Sequence, residues 1–206
     1  MKSIRILVSI SVLVASGLVQ AADYKIDPAH SNLQFTIRHL VSRVSGSFND
    51  FGGDFSFDPH HLDATKLVAK VNVASINTGN EKRDGHLKSP DFFDVAKHPT
   101  MNFVSRKLEA DGANKYKLSG DLTLHGVTKP VVLDVEFLGE GTDPQGGKRA
   151  GFVATGKINR KDFGINWNKT LDSGGVVLGE DVTLNVNIEA AQDSGHSAAP
   201  AAAKKK

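Results

Sequence analysis

Apolar and polar residues alternate along most of the chain between Tyr24 and Ala190. In the segment 32–38, Leu33, Phe35 and Ile37 alternate with polar residues, which is the two-residue period of a half-buried β-strand. The same period recurs in seven further segments, at 55–57, 67–73, 101–103, 116–124, 131–137, 152–158 and 182–188. The pattern therefore predicts eight strands.

Each predicted strand has one apolar and one polar face, which favours an antiparallel sheet over a parallel sheet covered on both sides. Turn residues, such as those of the glycine-rich segment 139–148, separate the strands. Eight strands of this kind form either a two-sheet sandwich or a closed barrel, and alternation alone does not distinguish them. Gly46, Gly120 and Gly156 interrupt strand patterns where a curling sheet bends, which gives a weak preference for the barrel.

One insertion breaks the strand pattern between the third and fourth strands. The segment 78–97 is rich in charge and lacks the two-residue period, and we predict a helix near Glu81–Lys88 within it. Ser89 and Pro90 then suit the N-cap and first position of a second short helix that contains Phe92 and Phe93. The segment predicts one or two short helices.

The two ends of the chain differ from the alternating part. Two basic residues near the N-terminus precede an apolar run over 6–19, and small residues stand at positions 19 and 21, which is the pattern of a secretory signal peptide over 1–21. The segment 193–206 is low in complexity and predicts a disordered tail. A single domain over 22–192 remains, and the signal peptide indicates a periplasmic protein.

Composition narrows the classes of function. The absence of cysteine excludes disulfides, a thiol nucleophile and a cysteine-ligated zinc site. The formal net charge of +2 comes from Lys2 and Arg5 of the signal peptide, so the remaining chain is balanced and nucleic-acid binding is disfavoured. Lys204, Lys205 and Lys206 are too few for strong binding to anionic lipid, which leaves at most a transient membrane contact. The sequence leaves the oligomeric state open, with a homodimer as one alternative.

Five blocks of sequence resemble the YceI-like family. They are 24–31 (YKIDPAHS), 83–87 (RDGHL), 91–94 (DFFD), 120–130 (GDLTLHGVTKP) and 160–164 (RKDFG). They occur in the family's order and spacing, and the resemblance covers 23–190. It implies a lipocalin-like antiparallel barrel that carries an isoprenoid or similar long-chain lipid in its interior, in the periplasm. No cofactor is implied other than this bound lipid or quinone.

Eleven phenylalanines, against two tyrosines and one tryptophan, indicate a dry interior. Several lie in the inward phase of the strands, and Phe92 and Phe93 lie in the insertion, so we expect an aromatic-lined tube with an aromatic lid. The ligand-binding residues that we predict are Leu33, Phe35, Ile37, His39, Phe48, Phe55, Phe57, Val71, Asn77, Arg83, His86, Leu87, Phe92, Phe93, Met101, Phe103, Leu122, Phe152, Phe163 and Trp167.

Arg83 is the polar residue of most interest in this set. A guanidinium at the barrel mouth suits a phosphate or a quinone oxygen, because Arg donates two parallel hydrogen bonds. The alternative is an ion pair of Arg83 with Asp84 that ties the helix to the barrel rim. Asn77 is a further candidate for contact with the lipid head group.

The eight histidines do not predict a metal site or catalysis. His60 and His61 are adjacent, so in a strand they point to opposite faces, and an exposed loop without a metal is the better interpretation. For His125 we expect a hydrogen bond to local backbone in its turn. The motifs H-E-x-x-H, G-x-S-x-G and S-x-x-K do not occur.

Three hypotheses of function are consistent with the sequence. The first is a periplasmic protein that binds, stores or transports a long-chain isoprenoid lipid and is not an enzyme. The second is a hydrolase or metal-dependent enzyme that uses His30, His39, His86 and Arg83 at the barrel mouth. The third is a filled barrel that binds a partner during cell-envelope stress.

Overall fold

The computed structural model describes residues 21–170 and 176–193. The predicted signal peptide and tail lie outside this range except for Ala21 and Asp193. The regular elements are β1 (Ala22–Ile26), β2 (Asn32–His39), β3 (Ser42–Phe48), β4 (Phe51–Phe57), β5 (Lys66–Asn72), β6 (Ile76–Asn77), α1 (Glu81–Lys88), β7 (Thr100–Ala110), β8 (Lys115–Leu124), β9 (Val127–Thr142), β10 (Lys148–Asn159) and β11 (Leu178–Gln192).

The strands form one antiparallel sheet that closes on itself. The closed ring runs β1-β4-β5-β7-β8-β9-β10-β11, and β1 completes it by pairing with β11 from Tyr24 opposite Gln192 to Ile26 opposite Ala190. Strands β2, β3 and β6 continue the sheet from β11. The prediction of an all-β, eight-stranded antiparallel barrel is confirmed, and the sandwich is excluded.

The eight predicted segments correspond to β2, β4, β5 and β7 to β11, and β1, β3 and β6 are additional strands that the alternation did not predict. A 3-10 turn at Pro28–His30 separates β1 from β2, Asn49 and Asp50 separate β3 from β4, and a 3-10 turn at Val73–Ser75 separates β5 from β6. Ser75 joins two of these breaks, because its Oγ accepts hydrogen bonds from the backbone N–H groups of Asn49 and Asp50 at 3.1 and 3.0 Å. Strands β1 and β6 have only five and two residues, which is too short to show the two-residue period clearly, and β3 has a glycine at position 46.

The insertion contains one helix, α1, at the predicted position. Its N-cap is Asn80, whose side chain accepts a hydrogen bond from the backbone N–H of Arg83 at 3.0 Å. The second short helix that was considered after Ser89 does not form. The chain makes a turn there, in which the backbone N–H of Asp94 donates to the carbonyl oxygen of Ser89 at 3.0 Å. Asp94 ends this turn with a φ of 44°, a left-handed conformation that a right-handed helix does not continue.

Two interior phenylalanines lie against glycines. A Cβ added at Gly46 would stand 2.6 Å from Cζ of Phe35, and one added at Gly120 would stand 2.3 Å from Cζ of Phe103. The glycines predicted to mark bends therefore also make room for aromatic rings.

We expect Gly120→Val to destabilise the protein by about 2–3 kcal/mol, because the added atoms also meet the carbonyl oxygen of Val104 at 2.7 Å. Urea denaturation measures the loss. Gly141→Val is the matched control, since no atom lies within 4 Å of a Cβ at Gly141. Equal stability of the two variants would contradict the close packing of Phe103 over Gly120.

Candidate functional site

A cavity of about 750 Å³ occupies the interior of the barrel. Its wall consists of side chains that point inward from alternate positions of the strands. Phe35, Phe55, Phe103 and Phe152 are only half-buried, although they lie inside the barrel, because each borders this space. The volume lies within the range of about 300–1,000 Å³ that is typical of small-molecule sites. The barrel is therefore not filled by its own side chains.

Packed aromatic rings close one end of the cavity. This group, the floor, consists of Tyr24, Phe55, Phe57, Tyr116, Phe137 and Phe152. The ring centroid of Phe57 lies 5.2 Å from those of Phe137 and Phe152 and 5.8 Å from that of Tyr116. The hydroxyl of Tyr24 donates to Oε1 of Glu140 at 2.7 Å, and burial raises the pKa of Tyr24, with Glu140 acting in the same direction.

The segment 81–95, which we call the lid, covers the other end of the cavity. It contains α1 and the turn that follows, and its Leu87, Phe92 and Phe93 border the cavity. Phe93 packs edge-on against Phe48, with ring centroids 5.9 Å apart, and the Phe92 centroid lies 5.1 Å from that of Trp167. The lid thus presents aromatic side chains to the interior, as its sequence predicts.

Thr78, not Asp84, holds the side chain of Arg83, which lies in the first turn of the lid helix α1. The Nε of Arg83 donates to Oγ1 of Thr78 at 2.7 Å, and Nη2 donates to the Thr78 carbonyl oxygen at 2.8 Å. Asp84 accepts a hydrogen bond from the N–H of Thr78 at 3.0 Å. The side chains of Arg83 and Asp84 therefore both connect α1 to Thr78, and they do not form the ion pair with each other that the sequence left open. Nη1 of Arg83 takes no part in these bonds and remains for a polar ligand group.

Arg160 is a charged residue of the cavity wall that the alternation of apolar and polar positions does not predict. It is 3% exposed, and its Nε and Nη1 donate to the carbonyl oxygens of Gly179 and Ile165 at 2.9 and 2.7 Å. Its buried Nη2 has no hydrogen-bond partner among the described residues. Burial lowers the pKa of the guanidinium, and Glu180 acts in the opposite direction. Ile165 packs in the same apolar cluster as Phe92, so this positive charge lies near the lid.

All the predicted ligand-binding residues border the cavity except Asn77 and Phe163. Asn77 is exposed, because Ile76 takes the buried position of β6, and its side chain accepts a hydrogen bond from the N–H of Gly79 at 2.8 Å. Phe163 is 1% exposed and packs in the core with Ile165. It belongs to a 3-10 turn, to which the strand period does not apply. Phe163 was predicted on the apolar wall and Asn77 as a head-group contact, and both lie outside the cavity lining.

The histidines do not assemble the cluster that the enzyme hypothesis needs. His39 and His86 border the cavity, but His30 lies in the turn before β2 and contacts Asp27 at 2.9 Å. The eight residues of β2, at about 3.3 Å each, separate His30 from the far end of the strand at His39.

The other predictions for histidine have mixed outcomes. His60 and His61 are exposed after β4, as predicted, and both form hydrogen bonds to Asp58. The expected local hydrogen bond of His125 is wrong, because its Nδ1 donates to the carbonyl oxygen of Phe163, 38 residues away, at 3.1 Å.

The sequence from residue 24 to 190 matches the family model of the YceI-like domain. The chain belongs to the YceI-like family. Protein YceI of Escherichia coli O157:H7 is 43% identical to it over 194 residues, which cover 93% of this chain and 98% of the relative. The crystal structure of the YceI protein of Campylobacter jejuni is 37% identical, with a TM-score of 0.66 over 76% of this chain and 90% of that one.

A polyisoprenoid binding domain from Saccharophagus degradans shares the YceI-like fold. It is 18% identical, with a TM-score of 0.59, and the match covers 84% of this chain and 99% of that domain. The residues that match the YceI-like family model include every residue of the cavity wall, from Ile26 to Ile188. The barrel and its cavity are therefore the YceI-like domain itself.

Proposed function

We propose that this protein binds, stores or transports a long-chain isoprenoid lipid, such as a quinone or a polyprenyl compound, in the periplasm. The observation that carries this proposal is the cavity of about 750 Å³ with an apolar wall, an aromatic floor and a lid. The name of the Saccharophagus degradans domain supports the ligand class, and the predicted signal peptide supports the compartment. The protein acts by burial and changes no covalent bond.

Burial of a hydrocarbon chain supplies enough free energy for this role. Each buried CH₂ group contributes about 0.8 kcal/mol, so ten such groups contribute about 8 kcal/mol. This corresponds to a Kd near 1 μM, before the cost of fixing the chain is subtracted. Polar contacts therefore set the orientation of the lipid and are not required for affinity.

The distribution of charge orients the lipid within the cavity. The floor is aromatic and carries no charge toward the interior, whereas Arg83, His86 and Arg160 border the cavity near the lid. His86 is fixed there by a hydrogen bond of its Nε2 with Asp91 at 2.8 Å and by edge-on packing against Trp167, with centroids 5.1 Å apart. We therefore place the hydrocarbon tail on the floor and the polar head beneath the lid.

The turn between β2 and β3 supports a transient membrane contact for lipid exchange. Leu40 is 39% exposed and Val41 is 103% exposed at its tip, which directly follows His39 of the cavity wall. Exposed Arg38 and Arg43 flank the tip, and an apolar tip between cations suits an anionic lipid surface. Among the described residues, no helix is long and apolar enough to span a bilayer.

Lipid binding to delipidated protein is expected to change the fluorescence of Trp167, the sole tryptophan, because this residue borders the cavity. At a free lipid concentration of about 100 times Kd, the stability should rise by about 2.7 kcal/mol and Tm by about 5–11 °C. Titration with a polyprenyl alcohol and with a quinone of matched chain length measures both effects.

Protein purified from its own periplasm should also release the lipid on organic extraction, for identification by mass spectrometry. The same fractions from cells that do not express the protein, purified and extracted in parallel, define the background. Absence of extracted lipid above this background, together with an unchanged Trp167 signal in the titration, would overturn the proposal.

A further inference from the structure

Three metal-ligating side chains converge at the barrel rim beneath the lid. Asp94, His98 and His125 each bring one ligand atom to within 4.8 Å of the others. Asp94 and His98 lie in the segment between α1 and β7, and His125 lies in the turn between β8 and β9. The cluster therefore connects the base of the lid to the barrel.

We propose that Asp94, His98 and His125 bind a divalent transition-metal ion, Zn²⁺ in particular. Two imidazole nitrogens and one carboxylate oxygen form a ligand set typical of zinc, with a fourth position left for water. Metal–ligand distances of about 2.0–2.2 Å place tetrahedral ligand atoms about 3.4 Å apart. Side-chain movements on the order of 1 Å bring the three groups to this geometry.

The side chains of Asp94, His98 and His125 do not form hydrogen bonds with one another. No hydrogen bond joins any two of these side chains in the described structure, although the ring centroids of His98 and His125 lie 4.8 Å apart. Imidazole nitrogens and a carboxylate oxygen are all metal-ligand atoms, so one cation that accepts a lone pair from each side chain would join the three groups. A metal ion would therefore supply the common binding partner that these three side chains lack.

Neighbouring groups prepare His125 and Asp94 for this role. The carbonyl oxygen of Phe163 accepts the Nδ1 proton of His125, so in the neutral ring the lone pair is on Nε2, as in metal sites whose second nitrogen donates to a carbonyl. Asp94 is 6% exposed, and Lys97 occupies only its Oδ2, at 2.8 Å. The other carboxylate oxygen remains for the metal.

A second cluster of possible metal ligands differs from this one, because its side chains already bond to other groups. Asp27, His30 and Glu189 also bring their ligand atoms within 4.8 Å of one another. Oδ2 of Asp27, however, already contacts Nδ1 of His30 and Nη1 of Arg149, each at 2.9 Å. These contacts, with the backbone hydrogen bond from Ala29 to its Oδ1, hold the pKa of Asp27 below its usual value, with the His30 contact acting most strongly. This cluster is an ion-pair network and serves as an internal control.

The test is a titration of metal-free protein with ZnCl₂ by calorimetry, and with CoCl₂ by the visible absorption of tetrahedral Co²⁺. We expect one equivalent to bind and Zn²⁺ to raise Tm, with chelation by EDTA reversing both. Asp94→Asn, His98→Phe and His125→Asn should each weaken binding on the order of 100-fold. Each substitution keeps the local shape: Asn tolerates the left-handed φ of Asp94 and of His125, and Phe keeps the ring that packs on Gly126.

His30→Ala, in the control cluster, should bind Zn²⁺ as the wild type does, and Lys97→Met should bind it as tightly or more tightly, because a competing cation is gone. Circular dichroism verifies that each variant is folded. The proposal is overturned if one-equivalent binding is absent, if it persists in folded His98→Phe and His125→Asn, or if it is lost in His30→Ala. These readouts need no lipid, so they are independent of the function proposed for the cavity.

Discussion

Replacing Phe103 with glutamate is expected to weaken lipid binding by about 10- to 100-fold. Phe103 borders the cavity midway along the barrel, since it packs against both the floor cluster and the cluster beneath the lid. The substitution removes an aromatic contact worth about 1.5–3 kcal/mol and places a carboxyl group in an apolar space. The Kd of a polyprenyl lipid, measured through Trp167 fluorescence, reports the loss.

Val104→Glu is the matched control for this experiment. Val104 is the next residue of β7, but it is 46% exposed and points away from the cavity. A glutamate there adds the same charge outside the barrel, so lipid binding should equal that of the wild type. Folded Phe103→Glu that binds lipid as tightly as Val104→Glu would show that the cavity is not the lipid site.

Truncation of Phe57 to alanine is expected to cost about 3–5 kcal/mol and to lower Tm by about 6–20 °C. Phe57 is 4% exposed and contacts three other rings of the floor, so alanine leaves a void that the neighbours fill only in part. The same void lengthens the cavity. The preference among polyprenyl lipids should therefore shift toward longer chains, which a series of matched chain lengths measures.

Phe57→Leu keeps this comparison measurable if the alanine variant unfolds, because it removes less volume. Leu138→Ala is the control for stability: Leu138 is 62% exposed on β9, and its truncation should change the free energy of unfolding by less than about 0.5 kcal/mol. A Phe57→Ala protein as stable as Leu138→Ala, with an unchanged chain-length preference, would show that the floor does not limit the cavity.

Local sequence patterns predicted most of the barrel because its inward residues follow one period. In β8, for example, the buried positions from Tyr116 to Leu124 are every second residue. The helix α1 was predicted with its bounds, since a charged segment without strand period has few other forms. The turn at Val73–Ser75 and the short strand β6 after it were not predicted, because the hydrogen bonds of Ser75 to Asn49 and Asp50 join residues about 25 positions apart.

The residues of the cavity wall likewise include some that the strand period predicts and some that it does not. The period of two placed Phe35 and Phe103 on the cavity wall, but it does not apply to the turn that carries Arg160 and Phe163. Arg160 is a wall residue because Gly179 and Ile165 hold its guanidinium there. Contacts of this kind depend on the closed barrel and have no local signal in the sequence.

For the proposed lipid carrier, the aromatic floor has a consequence for the direction of lipid traffic. A tube closed at one end does not let a chain pass through, so a lipid enters tail first and leaves head first by the same opening. A donor and an acceptor must then both meet the lid end of the protein, one after the other. Under the proposed function, the barrel would consequently work as a reversible container that turns between two partners, and not as a conduit that joins them.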